Sequence, residues 1–340
     1  AEDRTLTGDG SGEGELVGGR YETRRLIGAG GMGEVFEGYD TKLQRRVAMK
    51  RPPRESWPEG KPRQQLMEEA RLQAQLDHPH IVAVQDVVHE GLGNPLWIVM
   101  KFVEGRSLKH MLDQRHHLEP RPAVEIGLQV ASALATAHKR GVVHRDLKPS
   151  NVMIDENGWV YVLDFGIARL VEQTMYTLTG ERTSGTLLYM APEQHIGGRP
   201  ARDKRVDIFA FGAVMYEMIT GEAAFIDAAE PALAKRERSF EPLREAAPEC
   251  PPALAEVIER CLAPEQNERY ESFEDIEVGL ESAMPEAVVP ATTTSRSGSS
   301  RTSHAAGGSE ASRRRKDRGA LVSTNLPLGR GTPFWKTKNQ

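Results

Sequence analysis

The sequence predicts an α+β protein of two unequal lobes: a small five-stranded antiparallel β lobe carrying one helix, followed by a larger, mostly α-helical lobe. Three observations predict it. Short β-prone stretches joined by turn residues crowd into residues 21–102. A single helical stripe interrupts them, and beyond Gly105 the apolar pattern becomes that of long buried helices.

Residues 1–20, rich in Gly, Glu and Asp, hold too little apolar content to fold alone and read as a flexible leader. The small lobe is expected over 21–104, with strands at 21–27, 34–39, 45–51, 81–89 and 96–102. Between the third and fourth, Leu66, Ala70, Gln73 and Leu76 mark one face of a helix over 65–76, and the proline-rich 52–62 before it reads as an irregular loop. The large lobe is expected over 105–284. There 123–139 and 208–220 are apolar on most sides, as buried helices are. The second, with Glu217 inside it, falls well short of the roughly 20 residues that span a bilayer. Helical texture continues at 254–261 and 273–283. Residues 285–340, rich in Ser, Thr and Gly and carrying Arg313-Arg314-Arg315-Lys316, have the composition of a disordered tail.

With 340 residues, 39% hydrophobic and 27% charged, the chain has the makeup of a soluble globular protein able to bury a core. A net charge of -5 gives no general attraction to nucleic acid, and none is expected as a partner. Cys250 and Cys261 are too few for a disulfide framework and lack metal-ligand companions, which points to reducing cytosol. No apolar run is long enough to cross a membrane, and the start has neither the basic nor the apolar region of a signal peptide.

The chemistry lies in an ordered series of motifs. Gly28, Gly30 and Gly33 form a glycine-rich turn, and because Val35-Phe36-Glu37-Gly38-Tyr39 continues it as a strand, it reads as a hairpin closing over phosphates rather than a dinucleotide fold, which would open a helix here. Val47-Ala48-Met49-Lys50 follows, then His144-Arg145-Asp146-Leu147-Lys148-Pro149-Ser150-Asn151, Asp164-Phe165-Gly166 and Ala191-Pro192-Glu193. Moving a phosphoryl group requires neutralising the triphosphate, holding the acceptor hydroxyl in line and excluding water, and these motifs divide the three tasks.

In this order, over about residues 21–284, the motifs resemble the eukaryotic-like (Hanks-type) Ser/Thr protein kinases of bacterial type, and the resemblance implies the bilobal protein kinase fold. It implies ATP and Mg²⁺ as cofactors. Asp146 would orient the acceptor hydroxyl and take its proton, Lys148 would balance γ-phosphate charge, and Lys50 would contact the α- and β-phosphates with Glu69 as its ion-pair partner, Glu68 being the alternative. Asn151 and Asp164 would hold the metal. Gly28, Gly30, Gly33, Val35, Ala48 and Met153 would enclose the nucleotide, with Lys101 and Val103 in the linker that recognises adenine and Met100 as gatekeeper. His144 and Phe165 match a stacked spine anchored by Asp207, and Glu193 and Arg269 a structural ion pair.

Lys148 and Thr186, the latter shaping the acceptor site, match the Ser/Thr-specific branch, so protein Ser/Thr side chains are the expected acceptors. Small-molecule phosphotransferases of this fold usually lack the arginine of His-Arg-Asp and the Ala-Pro-Glu block. Thr177, Thr179 and Thr183 are candidate activation-segment phosphorylation sites, since Arg145 and Arg169 could grip a phosphate there. Trans-autophosphorylation, and with it a transient homodimer, follows from that reading. A catalytically silent pseudokinase scaffold is the alternative, but it would normally carry a lesion at Lys50, Asp146, Asn151 or Asp164, and none is present. Bacterial members often continue past such a tail into a membrane span and sensor domain. The expected location is therefore the cytoplasm, including the cytosolic part of a longer membrane-anchored protein.

Overall fold

Alternation of apolar and polar side chains builds the small lobe. The computed structural model describes residues 14–30, 33–52, 61–89, 91, 95–165, 187–195, 203–226 and 231–284, apart from the side chains of 61–63, 65, 66, 69, 231 and 232. Strands β1 (Leu16–Val17), β2 (Tyr21–Gly30), β3 (Gly33–Asp40), β4 (Arg45–Arg51), β5 (Val84–His89) and β6 (Leu96–Lys101) form one antiparallel sheet in the order β1-β2-β3-β4-β6-β5. The sheet has six strands rather than the five expected, because the end of the presumed leader joins its edge. Val17 is fully buried among Tyr21, Phe36, Val47, Met49, Trp97 and Val99, and Arg20 makes a two-point contact with Asp40 at 2.9 and 2.7 Å. One buried valine shows no periodicity; the neighbouring strand supplies the partner that makes it a strand.

The register sorts the side chains. Phe36 faces Met49 and Met49 faces Val99, on the side of the apolar cluster. Val35 faces Lys50, Gly28 faces Val35, and Ala48 and Lys50 face Met100 and Ile98, on the opposite side. Gly28, Val35, Ala48, Lys50 and Met100 therefore share one face of the sheet. The β2–β3 pairing runs to Gly30 and Gly33, so the glycine-rich segment is the tip of a hairpin. Gly33 has φ +106, and a Cβ there would lie 2.1 Å from the Arg51 carbonyl oxygen, so only glycine fits.

Helix α1 (Lys61–Ala74) begins inside the segment expected as a loop, since a proline is tolerated in a helix's first turn. Ala70, Gln73 and Leu76 are buried, as the stripe predicts. The segment after α1 is clamped to the second lobe: Val162 N donates to His80 O (2.8 Å) and Val82 N to Val162 O (3.0 Å).

That lobe opens with a three-stranded sheet, β7 (Gly105–Ser107), β8 (Val152–Asp155) and β9 (Val160–Val162), in which β8 and β9 connect Asn151 to Asp164. Helices α2 (Leu108–Arg115), α3 (Pro120–Lys139), α4 (Pro192–His195), α5 (Arg205–Thr220), α6 (Pro231–Arg236), α7 (Leu243–Ala246), α8 (Pro252–Cys261) and α9 (Phe273–Ala283) complete it. The expected long helices at 123–139 and 208–220 are α3 and α5. A Cβ on Gly212 of α5 would come within 2.7 Å of Cys261 Cβ, so the glycine permits the close approach of α8. Cys250 and Cys261 are buried free thiols. Among the described residues, no helix is long and apolar enough to cross a membrane.

His78, at the junction between the lobes, is held neutral. Its Nδ1 accepts from His80 N (3.2 Å), and Ser132 Oγ lies 3.3 Å from its Nε2. Burial, helped by the neighbouring His80 and opposed by Asp77, pushes its pKa down to about 4 from 6.5. The unfolded chain therefore takes up a proton between those values that the folded chain refuses, and stability falls as pH falls from 6.5 to about 4. Thermal midpoints measured across this window should drop with acidity, and His78→Gln should flatten the slope; an unaltered slope would remove His78 as the cause.

Candidate active site

Two strand ends, one loop and one buried helix bring the predicted charges together. Lys50, buried on the inner face of β4, donates to Asp164 Oδ2 at 2.8 Å across 114 residues of sequence. Asp146 is contacted by Lys148 Nζ at 3.1 Å (Oδ1) and 2.9 Å (Oδ2), and its Oδ2 also accepts from Asn151 Nδ2 at 2.8 Å. Asn151 Nδ2 further donates to the Asp146 carbonyl (2.7 Å), which can only accept, so the amide nitrogen faces Asp146 and Oδ1 points elsewhere. Leu163 N donates to Asn151 O (2.9 Å), placing the backbone before Asp164 against Asn151.

The loop bearing Asp146 hangs on Asp207 in the first turn of α5. This carboxylate, with no exposed surface, accepts from His144 N (2.7 Å), Arg145 N (2.6 Å) and His138 Nε2 (2.7 Å). Burial works against its charge, but the bond from His138, the His138 and His144 rings and the Arg145 N–H outweigh it and hold its pKa below the usual carboxylate value. The anchor permits a strained backbone: Arg145 and Asp164 both have positive φ, 68° and 55°, without being glycine. His144 Nε2 lies 2.8 Å from Leu163 O and so carries the proton, leaving Nδ1 to accept from Asp146 N (3.2 Å). The His144 and Phe165 rings meet at 4.7 Å, joining the catalytic loop to the start of the Asp164 segment.

Beyond the loop bearing Asp146, Glu193 of α4 binds Arg269 at two points, 2.8 and 3.0 Å, and Arg269 also donates to the carbonyls of Ala263, Arg205 and Pro264. Gln194 accepts from Ala191 N (2.8 Å) and donates to Arg145 O (3.4 Å), tying the Ala-Pro-Glu block to the residue before Asp146.

The predicted residues thus divide into groups. Lys50 pairs with Asp164, and Lys148 and Asn151 with Asp146; the backbone bond from Leu163 N to Asn151 O links the two groups. Gly28, Val35, Ala48 and Met100 line the sheet face beside them. Met153 lies on β8, and Lys101 and Val103 lie at the end of β6 and just beyond, the Lys101 N–H being donated to Ala83 O (3.0 Å). Glu69 falls on α1 with its side chain outside the described residues, while Glu68 is exposed. Thr177, Thr179, Thr183, Thr186 and Arg169 lie outside them as well. The sequence reading missed the polar anchors beneath the acceptor side: Tyr189, whose hydroxyl donates to Glu217 Oε2 (2.5 Å), Gln194, and Lys235 of α6. Glu217 alone left a signal, a carboxylate inside an apolar helix.

A small antiparallel sheet over a helical lobe, with paired lysines and aspartates at their junction, defines a phosphotransferase of the protein kinase kind. The family described as Protein kinase domain matches residues 21–277, and the chain belongs to it, as a Ser/Thr kinase domain of bacterial Hanks type. It is 35% identical to the serine/threonine-protein kinase PrkC of Bacillus subtilis over 80% of this chain and 41% of that protein. It is 37% identical to the serine/threonine-protein kinase PknA of Mycobacterium tuberculosis over 76% and 60%. The crystal structure of the Mycobacterium tuberculosis PknI kinase domain superposes with a TM-score of 0.63 at 26% identity, covering 80% of this chain and 98% of that domain. The chain spans only about two fifths of the length of the first curated relatives it matches.

In Asp207→Asn, the new NH₂ must face one of the backbone N–H groups that the carboxylate now receives. The catalytic loop should loosen, with a loss of about 3 kcal/mol read as a lower urea midpoint; an unmoved midpoint would show that the loop does not hang on this side chain.

Proposed function

We propose that this chain transfers the γ-phosphoryl group of ATP to Ser or Thr hydroxyls of proteins, and that the linked cluster of Lys50, Asp164, Asn151, Asp146 and Lys148 is the observation that carries this reading. Gly28, Gly30 and Gly33 let the β2–β3 hairpin approach the phosphates, while Val35, Ala48 and Met153 enclose adenine. With the Lys101 N–H engaged by Ala83, the Lys101 carbonyl and the Val103 backbone are the linker groups left for the base. Lys50 offers a buried, fixed positive charge to the α- and β-phosphates, with Glu69 on α1 as a further partner.

Mg²⁺ demands oxygen ligands and keeps places for phosphate and water. The carboxylate of Asp164 and the Oδ1 of Asn151, turned away from Asp146, fit that demand and would hold it. The bound ion supplies charge neutralisation along the phosphates. The lone pairs of Asp146 account for the rest. A carboxylate has about four acceptor positions, and Lys148 and Asn151 make three contacts with it, so one direction remains for the acceptor hydroxyl. As the hydroxyl oxygen bonds to the γ-phosphorus and the bond to ADP breaks, its proton passes to Asp146. Lys148 faces the charge that develops, and Thr186 shapes the place where the hydroxyl sits.

Regulation follows the same electrostatics. Arg145 Nε is buried without a hydrogen-bond partner among the described residues, and a phosphothreonine would supply oxygens to it. Thr177 and Thr179, then Thr183, are the proposed sites. They would be modified in trans by a second copy of this chain, and the reaction would proceed in the cytoplasm, where ATP and reduced thiols coexist.

Phosphatase-treated protein incubated with Mg²⁺ and ATP should gain phosphate on activation-segment threonines and pass it to a generic acceptor protein, with Asp146→Asn slower by about 10²- to 10⁴-fold, as mass spectrometry would quantify. Nucleotide binding without transfer by the wild-type chain would overturn the reading. Replacing both Thr177 and Thr179 by alanine should lengthen the lag before full activity; a lag unchanged from wild type would place the switch elsewhere.

A further inference from the structure

We propose that Lys235 is a positioning residue for the protein acceptor: a buried amine that sets the height of the strip following Thr186, and through it where the acceptor lies relative to Asp146. The proposal rests on the functional reading above, which makes that strip the acceptor's seat.

Lys235 lies on α6, a helix that carries none of the recognised motifs. Its side chain is fully buried, and among the described residues it enters no ion pair. Its Nζ instead donates to two main-chain carbonyls, Leu187 O and Met190 O, the latter at 2.8 Å. The rings of Phe225 and Phe209 flank the ammonium at 5.5 and 5.9 Å. Burial pushes its pKa down to about 7, a measure of how thoroughly water is excluded. A lysine amine is a costly way to fill an apolar site, where Met or Leu would pack as well. What an apolar side chain cannot do is satisfy two carbonyls that point into the core.

Those two carbonyls bracket the strip. Leu187 directly follows Thr186, and Met190 directly precedes Ala191 of the Ala-Pro-Glu block. The rest of the strip is tethered elsewhere: Tyr189 to Glu217 of α5, and Ala191 through Gln194 to the carbonyl of Arg145, the residue before Asp146. Lys235 is thus the support under both ends of a segment that is fastened otherwise to α5 and, through Gln194, to the residue before Asp146. The nucleotide face, built from β2, β3, β4 and β6, belongs to the other lobe, and no contact among the described residues joins it to Lys235. A change at Lys235 should therefore be felt by the protein acceptor and not by ATP.

The test is steady-state kinetics on the wild-type chain, Lys235→Met and Lys235→Gln, with dephosphorylated casein and Mg²⁺-ATP titrated separately and folding checked by thermal melting. Loss of the two bonds to Leu187 O and Met190 O in Lys235→Met should raise the KM for casein about tenfold, with the KM for ATP within about twofold of wild type. Lys235→Gln keeps one N–H donor group and should fall between the two; if Lys235→Met does not fold, the comparison of Lys235→Gln with wild type decides. A casein KM unchanged in the folded variants, or a KM for ATP that rises in step with it, overturns the proposal. Failure of the wild-type chain itself to phosphorylate casein would bring down the functional reading, a result separate from any difference between variants.

Discussion

Asp207 has no exposed surface, yet the loop bearing Asp146 depends on it. A carboxylate withdrawn from water is tolerable only when its acceptor positions are filled, and this one is filled by two consecutive backbone N–H groups of the loop and by His138. Its place in the first turn of α5 adds the favourable end of the helix dipole. The same contacts that satisfy the buried charge fix the backbone of His144 and Arg145, and hence the direction in which Asp146 leaves the loop. Arg145 can hold a left-handed backbone conformation because the structure on both sides over-determines it. The strain at Asp164 is held similarly, between the Leu163 contacts to His144 and Asn151 and the tilted contact of the Phe165 ring with His144.

Against this rigid base, the small lobe contributes by a simpler device. A strand presents alternate residues to opposite faces, and β4 uses this to put Val47 and Met49 into the apolar cluster while Ala48 and Lys50 face the other way. Lys50 can be buried with its charge because Asp164 meets it from the second lobe. The lysine and the aspartate thus link the two lobes as well as belonging to the proposed chemistry. The clamp of residues 80–82 on β9 joins the lobes a second time, near His78 and His80.

Several polar groups of the helical lobe gather beneath one short strip. Arg269 and Glu193, Tyr189 and Glu217, Gln194 and Lys235 all converge on residues 187–195. Apart from the Asp207 network, α3, α5, α8 and α9 pack chiefly through apolar side chains. Apolar packing tolerates small slips, whereas hydrogen bonds of 2.5 to 3.4 Å between fixed partners do not. Concentrating directional bonds where a protein acceptor is proposed to lie is consistent with a need for a fixed backbone there.

The sequence by itself determined the fold class, the order of the lobes and the identity of the four charged residues and one asparagine of the cluster. The motifs are local: the glycine turn, the strand ending in Lys50 and the segments around Asp146 and Asp164 are each short runs whose residue types state their chemistry. The long helices were legible because α3 and α5 are apolar on most sides, and the β2–β3 hairpin because a strand follows its glycines. What only the tertiary structure decided is everything that needed a distant partner. Leu16 and Val17 become a strand because β2 lies beside them, and α1 starts early because its proline falls in the first turn. Lys50 meets Asp164 across more than a hundred residues, and Lys235, in a stretch with no motif, finds two carbonyls from a segment nearly fifty residues earlier. The physical reason is that residue type and period encode which face is apolar and which groups are charged, while the partner of a buried polar group is chosen by packing, and packing is a property of the whole chain.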